Sequence, residues 1–254
     1  EYRFLSDLKL PTTIADSLKS LLQRTSGLLL VCGPAGSGKT TTLYAAFREI
    51  QKGGFEFRSL CTLEDPVEAI LPGVSQSQVK PDGDFNYHRG LASLLRQDPE
   101  VIMVGEIRDP QTAQVVFQAS MTGHLVLSSF HAGRAADAVS RLADMRVEPY
   151  VLRTGLLAIL AQRLLRRTCS CRRHDTGGCR DCHQTGYRGR LVVAEMLQCS
   201  SVDIANAILR REDARRIQEL AVATGMVPLR TVAENLVEQG LTTSDEVIRV
   251  FGIE

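Results

Sequence analysis

Short runs of consecutive apolar residues alternate with segments of helical spacing along the first two thirds of the chain. Four runs have the length and continuity of strands buried in a parallel sheet: 27–32 (GLLLVC), 58–63, 101–104 and 125–129. Helical spacing predicts helices over 14–22, 39–50, 135–143 and 151–165, and Asp109 and Pro110 begin a further one. The alternation of the two patterns predicts an α/β fold with a parallel sheet.

The last quarter of the chain carries helical spacing only. Its four segments begin at cap-like Asp or Ser residues and stop at Gly: VDIANAILR, DARRIQELAVATG, PLRTVAENLVEQG and SDEVIRVFG. We therefore expect an α/β domain over 1–166, a cysteine-containing segment over 167–190 and a helical subdomain over 191–254.

Composition narrows the class of protein. The chain has 254 residues, of which 44% are hydrophobic and 23% charged, and no apolar run approaches the roughly 20 residues of a membrane span. Its start, EYRFLSDLKLPTT, lacks the layout of a secretory signal, so we expect a cytoplasmic location. A net charge of +1 provides no overall field for gripping nucleic acid, and we expect no nucleic-acid partner.

A glycine-rich stretch follows the first predicted strand and opens the next helix. Gly33, Gly38, Lys39 and Thr40 fit the phosphate-loop pattern G-x-x-x-x-G-K-[ST] in this context. Backbone N–H groups can hold phosphate oxygens, Lys39 can reach the terminal phosphates, and Thr40 can bind Mg²⁺. The alternative is a glycine-rich turn without a ligand. We predict a nucleotide site made of Gly33, Pro34, Ala35, Gly36, Ser37, Gly38, Lys39, Thr40 and Thr41.

A second chemical element follows the apolar run VIMV at 101–104. Glu106 comes directly after this predicted strand, at the edge of the sheet where ligands of open α/β folds bind. A carboxylate in that place can hold Mg²⁺ through water or polarise an attacking water. The alternative is that Glu106 is a helix-capping or solvated acid.

Two more segments complete a family pattern. TLEDPVE (62–68) and TGHLVLSSFHA (122–132), with the phosphate loop and the Glu106 element, resemble the secretion ATPases that drive type II secretion and type IV pilus assembly. The four elements occur in the family's order between Gly33 and Ala132. The resemblance implies a hexameric, RecA-like P-loop motor that hydrolyses ATP bound at subunit boundaries.

The same resemblance assigns roles residue by residue. It places Glu64, Asp65 and Glu68 in an aspartate box, Glu106 in the second acidic element, and His124 and His131 in a histidine box. Glu64 is a candidate for orienting water or for a role beside Mg²⁺, and the sequence does not rank it against Glu106. The Mg²⁺ set implied is Thr40, Glu64 and Glu106. His131 is a γ-phosphate sensor or a satisfied polar residue.

Arginine completes this chemistry, because phosphoryl transfer spreads negative charge over the equatorial oxygens. The candidates are Arg89, Arg96, Arg108 and Arg141, each with a surface salt bridge as the alternative role. We expect Arg96 to act in the site of a neighbouring subunit.

Four cysteines lie close together in CSCRRHDTGGCRDC. Cys169, Cys171, Cys179 and Cys182 predict a structural Zn²⁺ site, against four reduced thiols as the alternative. GCRDCHQTGYRGRLVVAE resembles the assembly ATPases, whereas retraction ATPases lack the cysteines. The first pair is C-x-C where the family has C-x-x-C, which leaves His174 or His183 as substitute ligands. The other three cysteines, Cys32, Cys61 and Cys199, are predicted core residues.

The prediction from the whole sequence is an ATP-hydrolysing motor that assembles a pilus-like fibre. The resemblance implies a homo-oligomer, peripheral to the inner membrane through secretion or pilus platform proteins. It also implies an N-terminal domain of which only the tail fits before Ser26, so we expect a fragment or a shortened relative. A nucleic-acid-translocating ATPase and a non-hydrolysing nucleotide-dependent scaffold are the alternatives. The basic run RLLRRTCSCRR is a solvated face or a contact for acidic lipid or a membrane protein.

Overall fold

The computed structural model describes residues 4–53, 59–80, 83–171 and 178–253. Its strands are β1 Gly27–Cys32, β2 Leu60–Glu64, β3 Ser75–Gln78, β4 Val101–Val104, β5 Leu125–Phe130, β6 Leu156–Thr168 and β7 Tyr187–Gln198. Its helices are α1 Thr12–Leu22, α2 Lys39–Lys52, α3 Tyr87–Leu94, α4 Pro110–Met121, α5 Ala135–Asp144, α6 Pro149–Gly155, α7 Val202–Leu209, α8 Ala214–Ala223, α9 Leu229–Glu238 and α10 Ser244–Phe251. Within the described ranges, no helix combines the length and apolar character that a membrane span requires.

All seven strands form one sheet in the order β3-β2-β4-β5-β1-β6-β7. Every neighbouring pair is parallel except β6 and β7, which form an antiparallel hairpin. Successive residues of β1 alternate between two buried clusters, with Leu28 in one and Leu29 in the other, because helices cover both faces of the sheet. The α/β prediction is confirmed, with a mixed and mostly parallel sheet.

The helix predicted over 151–165 is wrong beyond Gly155. Helix α6 ends at Gly155, and the chain continues from Leu156 as β6. A run such as LLAILAQRLL does not distinguish a strand buried on both faces from a buried helix, because its two polar residues, Gln162 and Arg163, are adjacent and set no period. Pairing with β1 on one side and β7 on the other gives this segment its extended conformation.

Strand β7 was not predicted, and it extends the sheet beyond the cysteines. The domain boundaries expected at 166/167 and 190/191 fall within β6 and β7. The four predicted C-terminal helices are confirmed as α7 to α10. Arg58, where we placed the start of the second strand, lies outside the described residues.

One buried carboxylate on β7 joins the sheet to two helices, α5 and α9. Glu195 is 1% exposed. Its Oε1 accepts a hydrogen bond of 2.8 Å from the backbone N–H of Ala135, and its Oε2 accepts one of 3.0 Å from that of Leu229. These are the first residues of α5 and α9, so the negative charge lies at the positive ends of two helix dipoles.

A second buried carboxylate attaches α10 to β6. The Glu246 side chain is fully buried, 2.7 Å from the guanidinium groups of both Arg166 and Arg249. It also accepts a 2.8 Å hydrogen bond from the backbone N–H of Arg166. Burial alone raises the pKa of Glu246, but these hydrogen bonds outweigh it and lower the pKa to about 2.

We predict that Glu246→Gln destabilises the chain by roughly 2 to 3 kcal/mol at pH 7. The folded pKa of about 2 lies below the ordinary value of 4.5, so this stabilisation is present above pH 4.5 and disappears as the pH falls towards 2. Denaturant unfolding of both chains at pH 7 and pH 3 measures the difference. Glu238→Gln, at an exposed position on α9, is the matched control. A loss that does not shrink at low pH contradicts the prediction.

Candidate functional site

The sheet register brings the phosphate loop next to the histidine segment. Cys32, the last residue of β1, lies opposite Phe130, the last residue of β5. The N–H of Gly33 donates a 3.2 Å hydrogen bond to the Phe130 carbonyl. Gly33 and His131, each the first residue beyond its strand, therefore leave the sheet side by side.

The acidic elements leave the same edge from the next strands. Leu63 of β2 pairs with Val104 of β4, so Glu64 and Gly105 follow at one level. The chain then turns towards β5, because the N–H of Ile107 donates a 3.0 Å hydrogen bond to the carbonyl of Ser129. Glu106 thus lies between the ends of β4 and β5.

The phosphate loop has the conformation that only glycines permit easily. Gly36 and Gly38 have positive φ angles of 73° and 92°, and a Cβ at Gly33 would lie 2.4 Å from the Ser37 hydroxyl oxygen. The Lys39 ammonium donates hydrogen bonds of 3.0 and 3.1 Å to the carbonyls of Gly33 and Pro34. Burial lowers the pKa of Lys39, while Glu106 raises it.

Two further features of the loop fit a bound nucleotide. The Ser37 hydroxyl is buried and has no hydrogen-bond partner among the described residues. A cavity of about 640 Å³ opens beside Lys39 and Thr40 and continues to apolar side chains of β6, β7 and α9, among them Leu164, Leu191 and Leu236. Its polar end suits phosphates and Mg²⁺, and its apolar end suits a base.

Glu106 contacts an arginine and a histidine side chain at the sheet edge. Nε–H of Arg108 donates a 2.6 Å hydrogen bond to its Oε2, and Nε2 of His131 lies 2.6 Å from its Oε1. The Glu106 side chain is 11% exposed, whereas those of Arg108 and His131 are 60% and 47% exposed. A guanidinium N–H of Arg141 donates to the backbone carbonyl of His131. The Glu106 carboxylate is therefore nearly buried, whereas its two partners, Arg108 and His131, are exposed at the rim of the site.

Glu64 has a different environment. It is 3% exposed, and its oxygens accept hydrogen bonds from Thr62 Oγ1 at 2.6 Å, from Gln76 Nε2 at 3.0 Å and from the Tyr44 hydroxyl. Burial and the bond to Glu64 raise the pKa of Tyr44 to about 12, so the phenol stays protonated at neutral pH. Three neutral donors hold this carboxylate between β2, β3 and α2.

The sequence reasoning missed these partners of Glu64, although a signal exists. Thr62 lies two residues before Glu64, hence on the same side of β2, and Tyr44 lies one helical turn after Thr40. The Tyr44 hydroxyl also accepts hydrogen bonds from the N–H groups of Glu68 at 3.2 Å and Ala69 at 3.4 Å. Tyr44 therefore connects the helix of the phosphate loop to Glu64 and Glu68 of the aspartate box.

Of the other predicted residues, Glu68 and Asp65 lie at this edge of the sheet and His124 does not. Glu68 accepts a 3.3 Å hydrogen bond from Thr40 Oγ1, and Asp65 is exposed. His124 lies before β5, at the opposite edge, with its Nδ1 3.1 Å from the Ala119 carbonyl.

The arginine candidates are dispersed. Arg108 and Arg141 contact the site as described, and Arg89 pairs with Asp84 at 3.1 Å. Arg96 is exposed in the turn before β4, where the Glu100 N–H donates to the Ser59 carbonyl at the starting ends of β2 and β4. Arg96 thus lies near the edge where the parallel strands start, whereas the phosphate loop of its own chain lies at the edge where they end.

The four predicted cysteines meet at the tip of the β6–β7 hairpin. Their sulfurs all lie within 4.8 Å of one another, with 3.8 Å between Cys169 and Cys179 and 3.7 Å between Cys171 and Cys182. A tetrahedral Zn²⁺ with Zn–S bonds of about 2.3 Å requires sulfurs about 3.8 Å apart, so four thiolates fit one metal ion.

The cluster also has the hydrogen bonds that thiolate ligands receive. Backbone N–H groups of Cys179 and Gly186 donate to the Cys182 sulfur at 3.2 and 3.3 Å, and they lower the pKa of its thiol to about 6. His183 is not a member of the cluster, and His174 lies outside the described residues. The other three cysteines, Cys32, Cys61 and Cys199, are buried, as predicted.

Comparison with known proteins finds a matching family model and similar proteins that are all described as secretion system proteins. The family model described as Type II/IV secretion system protein matches residues 4–249. The chain is 42% identical to the type II secretion system protein HxcR of Pseudomonas aeruginosa, over 97% of this chain and 53% of that protein. It is 39% identical to the type II secretion system ATPase E of Vibrio cholerae, over 92% of this chain and 50% of that protein. The chain therefore spans about half the length of these curated relatives.

A solved structure agrees with these relatives. The crystal structure of the pilus retraction motor PilT with bound ADP superposes with a TM-score of 0.76 at 29% identity. The match covers 98% of this chain and 67% of that one.

We predict that Tyr44→Phe destabilises the chain by roughly 1 to 3 kcal/mol, because Glu64 and two backbone N–H groups lose a buried partner. In the variant, the amide exchange rates of Glu68 and Ala69 should rise relative to the unmodified chain, by a factor at least ten times larger than for the amides of β5. Hydrogen exchange with mass spectrometry and thermal unfolding measure both effects. Tyr150→Phe, at a side chain 65% exposed, is the control. Unchanged exchange over 67–71 would refute the proposed connection.

Proposed function

Because the chain belongs to the type II/IV secretion system protein family, we propose that it hydrolyses ATP and powers assembly of a pilin or pseudopilin fibre. The observation that carries this proposal is the meeting of the phosphate loop, Glu106 and His131 at one edge of the sheet. The 39% sequence identity of the chain to a named type II secretion system ATPase supports the same activity.

Each side chain at this edge has a distinct task in the proposal. The N–H groups of the loop and the Lys39 ammonium hold the phosphates, and Thr40 supplies a hydroxyl for Mg²⁺. Mg²⁺ held there would neutralise the charge that develops on the phosphates. Glu106 orients the attacking water and receives its proton, because Glu64 has its oxygens engaged by three neutral donors. His131, at the exposed rim, contacts the γ-phosphate.

The proposal includes a site shared between subunits. Arg96 lies across the sheet from its own phosphate loop, so it could stabilise the transition-state charge only in a second copy of the chain. A homo-oligomeric ring, expected to be a hexamer, provides that contact. Phosphate contacts that differ before and after hydrolysis would then bias the subunit interface and produce movement. We further propose a cytoplasmic ring held at the inner membrane by platform proteins of the secretion or pilus system.

ATP turnover of mixed chains tests the proposed function. We expect turnover per chain to rise with protein concentration and to fall at least a hundredfold in Lys39→Ala and in Arg96→Ala. A mixture of these two variants should recover activity, because one subunit supplies Lys39 and its neighbour supplies Arg96. Arg153→Ala, at an exposed position on α6, is the matched control. Turnover that is independent of concentration, with no recovery in any mixture, would exclude a shared site.

We also propose that the cysteine cluster binds one structural zinc, supported by the sulfur spacing and by the amide hydrogen bonds to Cys182. The cysteines favour an assembly motor over a retraction motor. Metal analysis of the purified chain should give about one zinc per chain, and Cys182→Ser should lose most of it and unfold at lower temperature. Cys199→Ser, at a buried cysteine outside the cluster, should keep its zinc. Equal zinc content in both variants would rule out the site.

A further inference from the structure

A buried amide on β6 contacts the phosphate loop and its helix together. Gln162 is 1% exposed. Its Nε2 donates a 2.8 Å hydrogen bond to the carbonyl of Ser37, and its Oε1 accepts one of 2.9 Å from Thr42 Oγ1. A carbonyl requires a donor, so the contact with Ser37 fixes which end of the amide is nitrogen.

Glutamine suits this position because its side-chain amide carries both a hydrogen-bond donor and an acceptor. Ser37 presents an acceptor in the loop and Thr42 presents a hydroxyl on the first turns of α2. The glutamine amide supplies the donor for the Ser37 carbonyl and the acceptor for the Thr42 hydroxyl. Replacement by a residue without these groups leaves a buried carbonyl and a buried hydroxyl without partners.

The contact also fixes the direction of an amide in the phosphate cradle. The carbonyl of Ser37 and the N–H of Gly38 belong to one planar trans peptide, so they point in opposite directions. When Gln162 holds the carbonyl, the Gly38 N–H is directed away from β6. Gly38 is close enough to Gln162 that a Cβ on it would lie 3.0 Å from Nε2, so the peptide has little room to turn.

We infer that Gln162 is a positioning residue for nucleotide binding: its side-chain amide orients the Ser37–Gly38 peptide so that the Gly38 N–H faces the phosphates. This inference rests on the proposed nucleotide site and adds a residue from β6, a strand outside the four sequence elements of the family resemblance. Gln162 touches the loop and acts through it. Its loss therefore affects the affinity for ADP and the KM for ATP more than kcat.

Isothermal titration of the purified chain with ADP and Mg²⁺ tests the inference. Gln162→Leu should raise the Kd for ADP at least tenfold at pH 7.5, with a smaller effect on kcat. Gln198→Leu replaces an exposed glutamine at the end of β7 and should bind ADP as the unmodified chain does. A Kd within twofold of the unmodified chain in Gln162→Leu overturns the inference.

Gln162→Glu separates orientation from packing. At pH 8.5 its ionised carboxylate has no donor for Ser37 and repels phosphate, so the Kd should be at least tenfold higher than that of the unmodified chain. Burial beside the Ser37 carbonyl raises the pKa of this carboxyl, so at pH 5.5 it can be protonated and donate to Ser37. The Kd relative to that of the unmodified chain at pH 5.5 should then recover most of that loss. A loss equal at both pH values overturns the inference, and this variant decides the matter if Gln162→Leu does not fold. An unmodified chain that binds no ADP would remove the proposed function and this inference together.

Discussion

Parallel pairing of β2, β4, β5 and β1 is the constraint on which the candidate site depends. Residues distant in sequence meet because four strands end at one level of the sheet, with Cys32 opposite Phe130 and Leu63 opposite Val104. A shift of one residue in any of these pairs would turn the side chains to the other face and remove an element from the edge. The buried interior of each strand fixes this register, so the core that stabilises the fold also sets the geometry of the site.

Strand β6 extends that constraint to the rest of the molecule. Alternate residues of the strand contact different parts: Gln162 holds the phosphate loop, Arg166 pairs with Glu246 of α10, and the Thr168 N–H donates to the Leu241 carbonyl at 2.9 Å. The cysteine cluster begins at the next residue. A displacement of the phosphate loop therefore acts on the same strand that anchors the C-terminal helices and the hairpin tip.

The sequence contained enough to locate the loop and most of the fold, but not the environment of the site. Local signals sufficed for Gly33 to Thr41, for β1 and β4, and for the C-terminal helices, because glycine pattern, apolar runs and caps are properties of neighbouring residues. The prediction for strand β6 was wrong because LLAILAQRLL carries no period of its own. Its extended conformation comes from pairing with β1 and β7. The buried hydrogen bonds of Gln162 and Glu64 join residues on different strands and helices, which no local pattern records.

The two acidic residues that the sequence left unranked differ in what surrounds them. Glu64 is enclosed by neutral donors from β2, β3 and α2, and through Tyr44 it fixes the turn that carries Glu68. Glu106 instead meets Arg108 and His131, whose exposed side chains can exchange these contacts for others. A carboxylate whose partners face solvent can turn towards a water and a phosphate, whereas Glu64 would have to leave two buried donors, Thr62 and Tyr44, unpaired. This difference supports the proposal that Glu106 accepts the proton, while the contacts of Glu64 fix the shape of the site.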